Sequence, residues 1–438
     1  MKRLLLLMLA ILCFPGLAAP AVATPMHMDV RVPRAQDAQE RPRIGVVTMQ
    51  PGEIFFERFG HNAILVQDPL TGAGTSYNFG FFDPGEEDFI GRFVRGDMRY
   101  RLVALPIEQD LVYYRDSGRG VAIQWLNLED ADAQQLADAL AENARPQNAH
   151  YRYDYFLDNC STRVRDALDQ ALGGGLRRTL EGRSRGNTFR SEAVRLASPA
   201  PWMWLAFDIG LGPSADRPLP VWAESFVPMR LATALRDVRN QQGEPLVAEE
   251  IEVLPHLIAP EPVEAPRAWL PWFLSGLLIG VGLAWLGAHR PRVLAVIALP
   301  FWTVSGLIGA LSLFIWFGTA HRFGWANQNL LLLNPLCWLL LPGGWQVLRG
   351  RVPKAWFRYL LITVAALAGL AVFFHGLQSL PQRNLHWIVL LLPIHMALAW
   401  GLSRGNSSSR EHGPGDSAAH VSSTPRRRDP VTSGFRTE

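Results

Sequence analysis

The sequence predicts a two-part protein: an exported α+β domain, with an antiparallel sheet plus helices, followed by an all-α transmembrane domain of about five helices. Three observations lead there. The first residues have the make-up of a secretory signal: a basic end (Lys2, Arg3), an apolar run from Leu4 to Leu12, and the small-residue pattern Ala21-Val22-Ala23. Short β-branched runs then mix with a few amphipathic stretches, without the regular βαβ alternation of a parallel sheet. From Trp269 onward the chain holds five apolar stretches, each near the ~20 residues that cross a bilayer core.

The elements follow in order. After a signal peptide (1–23), residues 24–42 are polar and rich in Pro and Arg, a flexible leader. Ile44 to Met49 reads as a strand, closed after Gln50 by the turn signal Pro51-Gly52. Arg58 to Val66 reads as a second strand beginning near Gly60. Ser76 to Phe82 follows the hairpin-like loop Asp68 to Gly72, and Tyr100–Leu105 and Val121–Leu128 are further strands. Ile107 to Asp116 reads as a short helix. Glu129 to Ala144 is a clearer one, with an apolar stripe of Ala133, Leu136, Ala137 and Leu140. A third helix starts at Cys160, buries Val164, Ala167, Leu168, Ala171 and Leu172, and stops at Gly173-Gly174-Gly175. The exported domain is expected over residues 43–265.

Within it, the arginine run from Arg177 to Arg190 reads as a solvated loop or as a contact for anionic headgroups. Trp202, Trp204, Trp222 and Phe226 suit a position close to a membrane surface. Pro260 to Pro266 reads as a linker. The five spans are expected at Trp269–Ala288, Val293–Gly318, Asn327–Val347, Tyr359–Leu380 and Leu385–Leu402, within a transmembrane domain of residues 266–403. Arg290 and Arg292 follow the first span. Arg349, Arg351, Lys354 and Arg358 follow the third, and more arginines follow the fifth; the opposite loops hold little beyond Arg322 and Arg383. The positive-inside rule then puts the basic loops in the cytoplasm and residues 24–268 outside, with 404–438 a disordered cytoplasmic tail.

The net charge of +3 over 438 residues is too small to imply a nucleic-acid partner. Only three cysteines exist, Cys13, Cys160 and Cys337, so no multi-cysteine metal site and no two-cysteine redox motif is expected. With the signal removed, Cys160 is the sole cysteine outside the membrane segments. Exported domains ordinarily use cysteines in pairs, so a solitary one at a helix start, where the helix dipole favours a thiolate, points to a reactive thiol. Its base would be His61 or His150, with His27 in the leader and His256 near the linker as lesser candidates. Asn78 is the first choice for a group orienting the ring, and Asp83 the second. A buried cysteine beside a structural histidine is the bland alternative. In the third span, Asn327, Asn329 and Asn334-Pro335 read as helix-packing groups or as the lining of a site; Cys337 reads as an inert thiol.

The segments Arg58-Phe59-Gly60-His61-Asn62-Ala63, Tyr77-Asn78-Phe79-Gly80-Phe81-Phe82-Asp83 and Tyr153-Asp154-Tyr155-Phe156-Leu157-Asp158-Asn159-Cys160-Ser161-Thr162-Arg163 closely resemble the N-terminal periplasmic domain of the Lnb-type bacterial lipoprotein N-acyltransferases. The resemblance covers roughly residues 40–235, and the multi-span half fits the family's layout. It implies a permuted papain/NlpC-like fold, with Cys160 and His61 matching the catalytic pair and Asn78 a weaker match. It further implies transfer of an acyl chain from a phospholipid donor to the N-terminal amine of a lipoprotein acceptor. The setting would be the bacterial inner membrane, and no cofactor is expected. Two other readings are a cell-wall amidase or peptidase of the NlpC type, and a non-catalytic membrane assembly protein.

Overall fold

The computed structural model describes residues 41–263 and 268–403; Cys13, His27, the signal peptide, nearly all of the leader and the tail lie outside the described residues. The N-terminal part is built on one seven-stranded antiparallel sheet, ordered β6-β4-β3-β2-β1-β5-β7. The strands are β1 (Arg43–Met49), β2 (His61–Gln67), β3 (Gly74–Phe81), β4 (Arg99–Pro106), β5 (Val121–Leu126), β6 (His150–Arg152) and β7 (Val247–Leu254). The central strands are buried on both faces, which is why β1 reads as a continuous apolar run rather than an alternating one.

Helices cover both sides. Ile44, Val46, Ile64 and Phe79 pack against α3 (Asp130–Asn143), α4 (Cys160–Ala171) and α8 (Pro228–Arg236). Val47, Met49 and Leu65 pack against Ile107 and Leu111 of α2 (Ile107–Asp116). A short α1 (Phe89–Arg95) precedes β4. The two edge strands escape sequence reading for physical reasons. β6 is only three residues long, and β7 carries Glu249, Glu250 and Glu252, charges that suit an unpaired edge and mask its strand character.

Residues 173–263 are mostly helical: α5 (Gly175–Glu181), α6 (Phe189–Ala197), α7 (Pro201–Gly210), one turn at Val221–Glu224, and α8. The arginine run is committed to protein partners. Arg177 pairs with Glu181, Arg183 with Asp237, Arg185 with Glu224, and the fully buried Arg190 with Asp216. Arg177, Arg178, Arg183 and Arg185 stay exposed, as the solvated reading expects, whereas Arg190 is buried. Trp222 lies under the Arg165 guanidinium at 4.0 Å, and Phe226 is buried with Phe156 and Phe189. Of the four aromatics expected near the membrane, Trp204 reaches the spans, where it meets Trp272 and Trp387.

The C-terminal part has five segments long and apolar enough to cross a membrane: Leu270–His289, Pro291–Gly318, Gln328–Leu348, Ala355–Leu377 and Leu385–Ser403. The third is not one α-helix. It runs as 3-10 turns at Gln328–Leu331 and Pro335–Leu340 before an α-helical end at Leu341–Leu348. Asn327 and Asn334 side chains cap the two turns, and Pro335 and Pro342 remove backbone donors. Asn327, Asn329 and Asn334 are all buried, which is the setting in which irregular backbone is tolerated at membrane depth.

The loops after the second and fourth spans dock onto the N-terminal part. Asn327 Nδ2 donates to Ile209 O at 2.7 Å, and Gly212 N–H to Phe323 O at 2.6 Å. Arg383 N–H donates to Asp216 Oδ2 at 3.1 Å. The buried Asp208 carboxylate accepts from the His386 ring at 2.7 Å and from Trp387 Nε1 at 2.8 Å. These contacts put both loops on the same side of the spans as the sheet domain.

Candidate active site

Asn159 organises the start of α4. Its Oδ1 accepts from Thr162 N–H at 2.9 Å, its own N–H donates to Thr162 Oγ1 at 2.7 Å, and Nδ2 donates to Tyr155 O and Phe226 O. This reciprocal cap leaves Cys160 as the first helical residue, at the positive end of the dipole. Ser161 Oγ fastens the same turn to β2 through Asn62 Oδ1 at 2.9 Å, and to Ser225 O at 2.7 Å. Asp158 holds Arg163, with one bond at 2.7 Å, and the Arg163 guanidinium lies 4.2 Å above the Tyr151 ring.

His61 opens β2 immediately after Gly60, whose φ of 74° few other residues adopt. Its ring couples electrostatically to the Cys160 thiol and hydrogen-bonds Asn78 Oδ1 through Nε2 at 3.0 Å. The register Ala63↔Asn78 puts Asn78 diagonally across from His61 on one face of the sheet. The amide orientation follows from the next residue along. Asn78 Nδ2 donates to the buried Asp110 carboxylate at 2.9 Å, and Ser76 Oγ donates to the same oxygen at 2.7 Å. A carboxylate only accepts, so the amide nitrogen must face Asp110 and Oδ1 must face His61. His61 Nε2 therefore carries the proton, and Nδ1 is left for the thiol.

The electrostatics agree with that arrangement. Burial pushes the Cys160 thiol up, but the His61 charge and hydrogen bond, with the Asn62 and Ser161 N–H groups, outweigh it and leave the thiol below its ordinary range. Burial pulls His61 down, and the Cys160 thiolate and its hydrogen bond, the Asp110 charge and the Asn78 contact raise it above its ordinary value. Both shifts act in the direction of a thiolate beside an imidazolium.

Two further features flank the sulfur. Gly80 sits at an irregularity in the β3–β4 pairing with φ of 95°; a methyl group there would lie 3.8 Å from Cys160 Cβ and 3.8 Å from the Tyr151 hydroxyl. That hydroxyl is buried and has no hydrogen-bond partner among the described residues. Burial and the Cys160 charge push the phenol far above its ordinary range, so it stays a donor.

Of the residues expected from sequence, the structure brings Cys160, His61 and Asn78 together. His150 is exposed on the edge strand β6, opposite Arg101. His256 bonds Gly120 N–H and Ala259 O. Asp83 is exposed and accepts from Gly85 N–H at 2.8 Å in its own turn. Asp110, Tyr151 and Gly80 were not foreseen. For Asp110 a signal existed: it falls in the buried stripe Ile107, Asp110, Leu111, Tyr114 of a recognisable helix, and a carboxylate there must have partners.

Two family models match the chain. One described as the Lnb N-terminal periplasmic domain covers residues 32–191, and one described as the Lnb transmembrane domain covers residues 265–404. No curated protein and no solved structure matches it.

Proposed function

Because this chain belongs to the Lnb family through both its periplasmic domain and its five-span domain, as a multi-pass inner-membrane protein, we propose that it is a thiol-dependent acyltransferase. It moves an acyl chain from a phospholipid, by way of a Cys160 thioester, to the N-terminal amine of a lipoprotein. The observation that carries this reading is the Cys160–His61–Asn78 chain, mounted on a turn docked to the membrane domain.

In the first step the Cys160 thiolate attacks an ester carbonyl of the phospholipid. The C–S bond forms, the C–O bond breaks, and the His61 imidazolium gives its proton to the departing glycerol oxygen, releasing a lysophospholipid. In the second step the lipoprotein α-amine attacks the thioester. The C–N bond forms, the C–S bond breaks, and neutral His61 takes the amine proton as the thiolate leaves. Asn78 holds the ring in one orientation through both steps. The Tyr151 hydroxyl and N–H groups at the start of α4 are the available donors to the tetrahedral oxyanion.

The turn carrying Cys160 is held to the spans directly. Arg322 donates to Asp154 Oδ2 at 2.9 Å, and Phe323 packs on Phe156 with centroids 4.7 Å apart. An enzyme acting on substrates anchored in the bilayer needs such a mounting; a soluble hydrolase does not. Five spans from a periplasmic domain leave the C-terminal tail in the cytoplasm. The test is mass spectrometry of lipoprotein N-terminal peptides in cells that depend on this protein. Cys160→Ala is expected to abolish N-acylation. Persisting N-acylation, together with altered cell-wall muropeptides, would transfer the protein to the amidase class.

A further inference from the structure

Among the large apolar side chains that the sheet domain exposes are Phe55 (52%), Phe56 (47%), Ile90 (54%) and Phe93 (38%). Two of them lie on α1, whose C-terminal end is bonded to the membrane domain. Ala320 N–H donates to Arg95 O at 2.8 Å, and the His321 ring to Phe93 O at 3.0 Å. Ala320 lies two residues beyond the end of the second span, Pro291–Gly318, whose last turns expose Phe314 and Phe317. Helix α1 is thus fixed at the height where that span leaves the bilayer, the level at which aromatic side chains gather.

From there, contacting rings lead inward. Phe89 stacks on Phe82 (5.7 Å), Phe82 on Tyr100 (5.1 Å), and Tyr100 meets Tyr153 (4.4 Å). The last ring flanks the nucleophile: a methyl group at Gly80 would touch Tyr153 at 3.6 Å and Cys160 at 3.8 Å. Phe56 also meets Phe82, edge to face at 5.7 Å.

Resting on the acyltransferase reading, we propose that the Phe55–Phe56 loop and α1 form a lip immersed in the outer leaflet, and that the Phe82–Tyr100–Tyr153 wall guides one acyl chain of a diacyl phospholipid from the bilayer to Cys160. The spans alone do not need exposed aromatics on the sheet domain. A lipid that must bring an ester carbonyl to a thiol outside the membrane does need an apolar path for the attached chain.

The experiment compares two acyl donors on full-length protein in phosphatidylethanolamine vesicles, with acyl-Cys160 read by mass spectrometry. The donors are the vesicle lipid itself and water-soluble p-nitrophenyl acetate. The double variant Ile90→Ser/Phe93→Ser, both exposed positions, is expected to slow acylation by lipid at least about tenfold and to leave acetylation within about twofold. Equal loss with both donors, or no loss with either, would overturn the path. Insertion of the lip is read separately, from a fluorophore placed at Phe93→Cys after replacement of the native cysteines. Quenching by brominated acyl chains is expected, and its absence would overturn the lip. Wild-type protein that accepts acetyl but no chain from lipid would sink the donor assignment, whereas lip quenching in that case would still stand.

Discussion

Asn78 donates to the buried Asp110 carboxylate at 2.9 Å, and this bond, two residues removed from the sulfur, sets the tautomer of His61. On the proposed mechanism, Asp110 is a positioning residue. Asp110→Ala takes away the acceptor of the buried Ser76 hydroxyl, a loss of about 1–3 kcal/mol, and leaves the Asn78 amide only its contacts with Ser76 Oγ and Ser76 O. Acylation of Cys160 is expected to fall about tenfold or more as the amide loses its fixed orientation. Asp110→Asn, which keeps an acceptor, should restore part of the stability seen in thermal melts.

The charge state of the pair gives a pH signature. Cys160 sits below its ordinary value because of His61, against the opposing effect of burial. Alkylation by iodoacetamide should therefore set in at lower pH than for a free cysteine. His61→Ala removes the favourable charge and hydrogen bond and leaves burial dominant, so its alkylation profile should move to higher pH. Transfer from an ester donor should be bell-shaped. It is lost on the acid side as the thiolate is protonated and on the basic side as the raised His61 gives up the proton the leaving group needs.

Tyr151 should separate catalysis from thiol activation. Its hydroxyl, without a hydrogen-bond partner among the described residues, takes no part in the His61–Cys160 coupling, so Tyr151→Phe is expected to leave iodoacetamide alkylation unchanged. Acylation by an ester should drop by about 10²–10³, the loss typical of one oxyanion donor. Stopped-flow release of p-nitrophenol measures it.

The junction offers a contrast between two ion pairs. Arg322 and Asp154 meet in partly exposed surroundings, so Arg322→Ala should cost no more than about 1 kcal/mol in stability. Arg190 and Asp216 are both fully buried, and Asp216 also accepts from the Arg383 N–H. Asp216→Ala strands a guanidinium in the interior and is expected to cost about 3–5 kcal/mol. Denaturation in detergent, followed by loss of protection of the buried Cys337 from alkylation, distinguishes the two.

Much of this architecture was legible in the sequence because the relevant signals are local. β1 to β5, α2, α3 and α4 follow from apolar periodicity and turn residues, and the spans from length and apolarity. Cys160 and His61 stood out through cysteine scarcity and the strand start at Gly60. What stayed hidden depends on partners distant in sequence. Asp110 is one charge on a helix until Asn78 and Ser76 meet it across the sheet, and Tyr151 gains meaning only when β6 pairs with β4. Arg190 looked like part of a solvated run because Asp216, which neutralises it, lies 26 residues away. The broken third span was not read from the sequence: Asn334-Pro335 read as packing or site-lining groups, and hydropathy alone describes an ordinary helix.

The most direct measurement is the intact mass of the protein after incubation with phospholipid vesicles in the absence of any lipoprotein. A single acyl adduct on Cys160, removable by hydroxylamine as a thioester, is the expected result. A Cys160 that alkylates readily with iodoacetamide but never carries an acyl chain from phospholipid would contradict it.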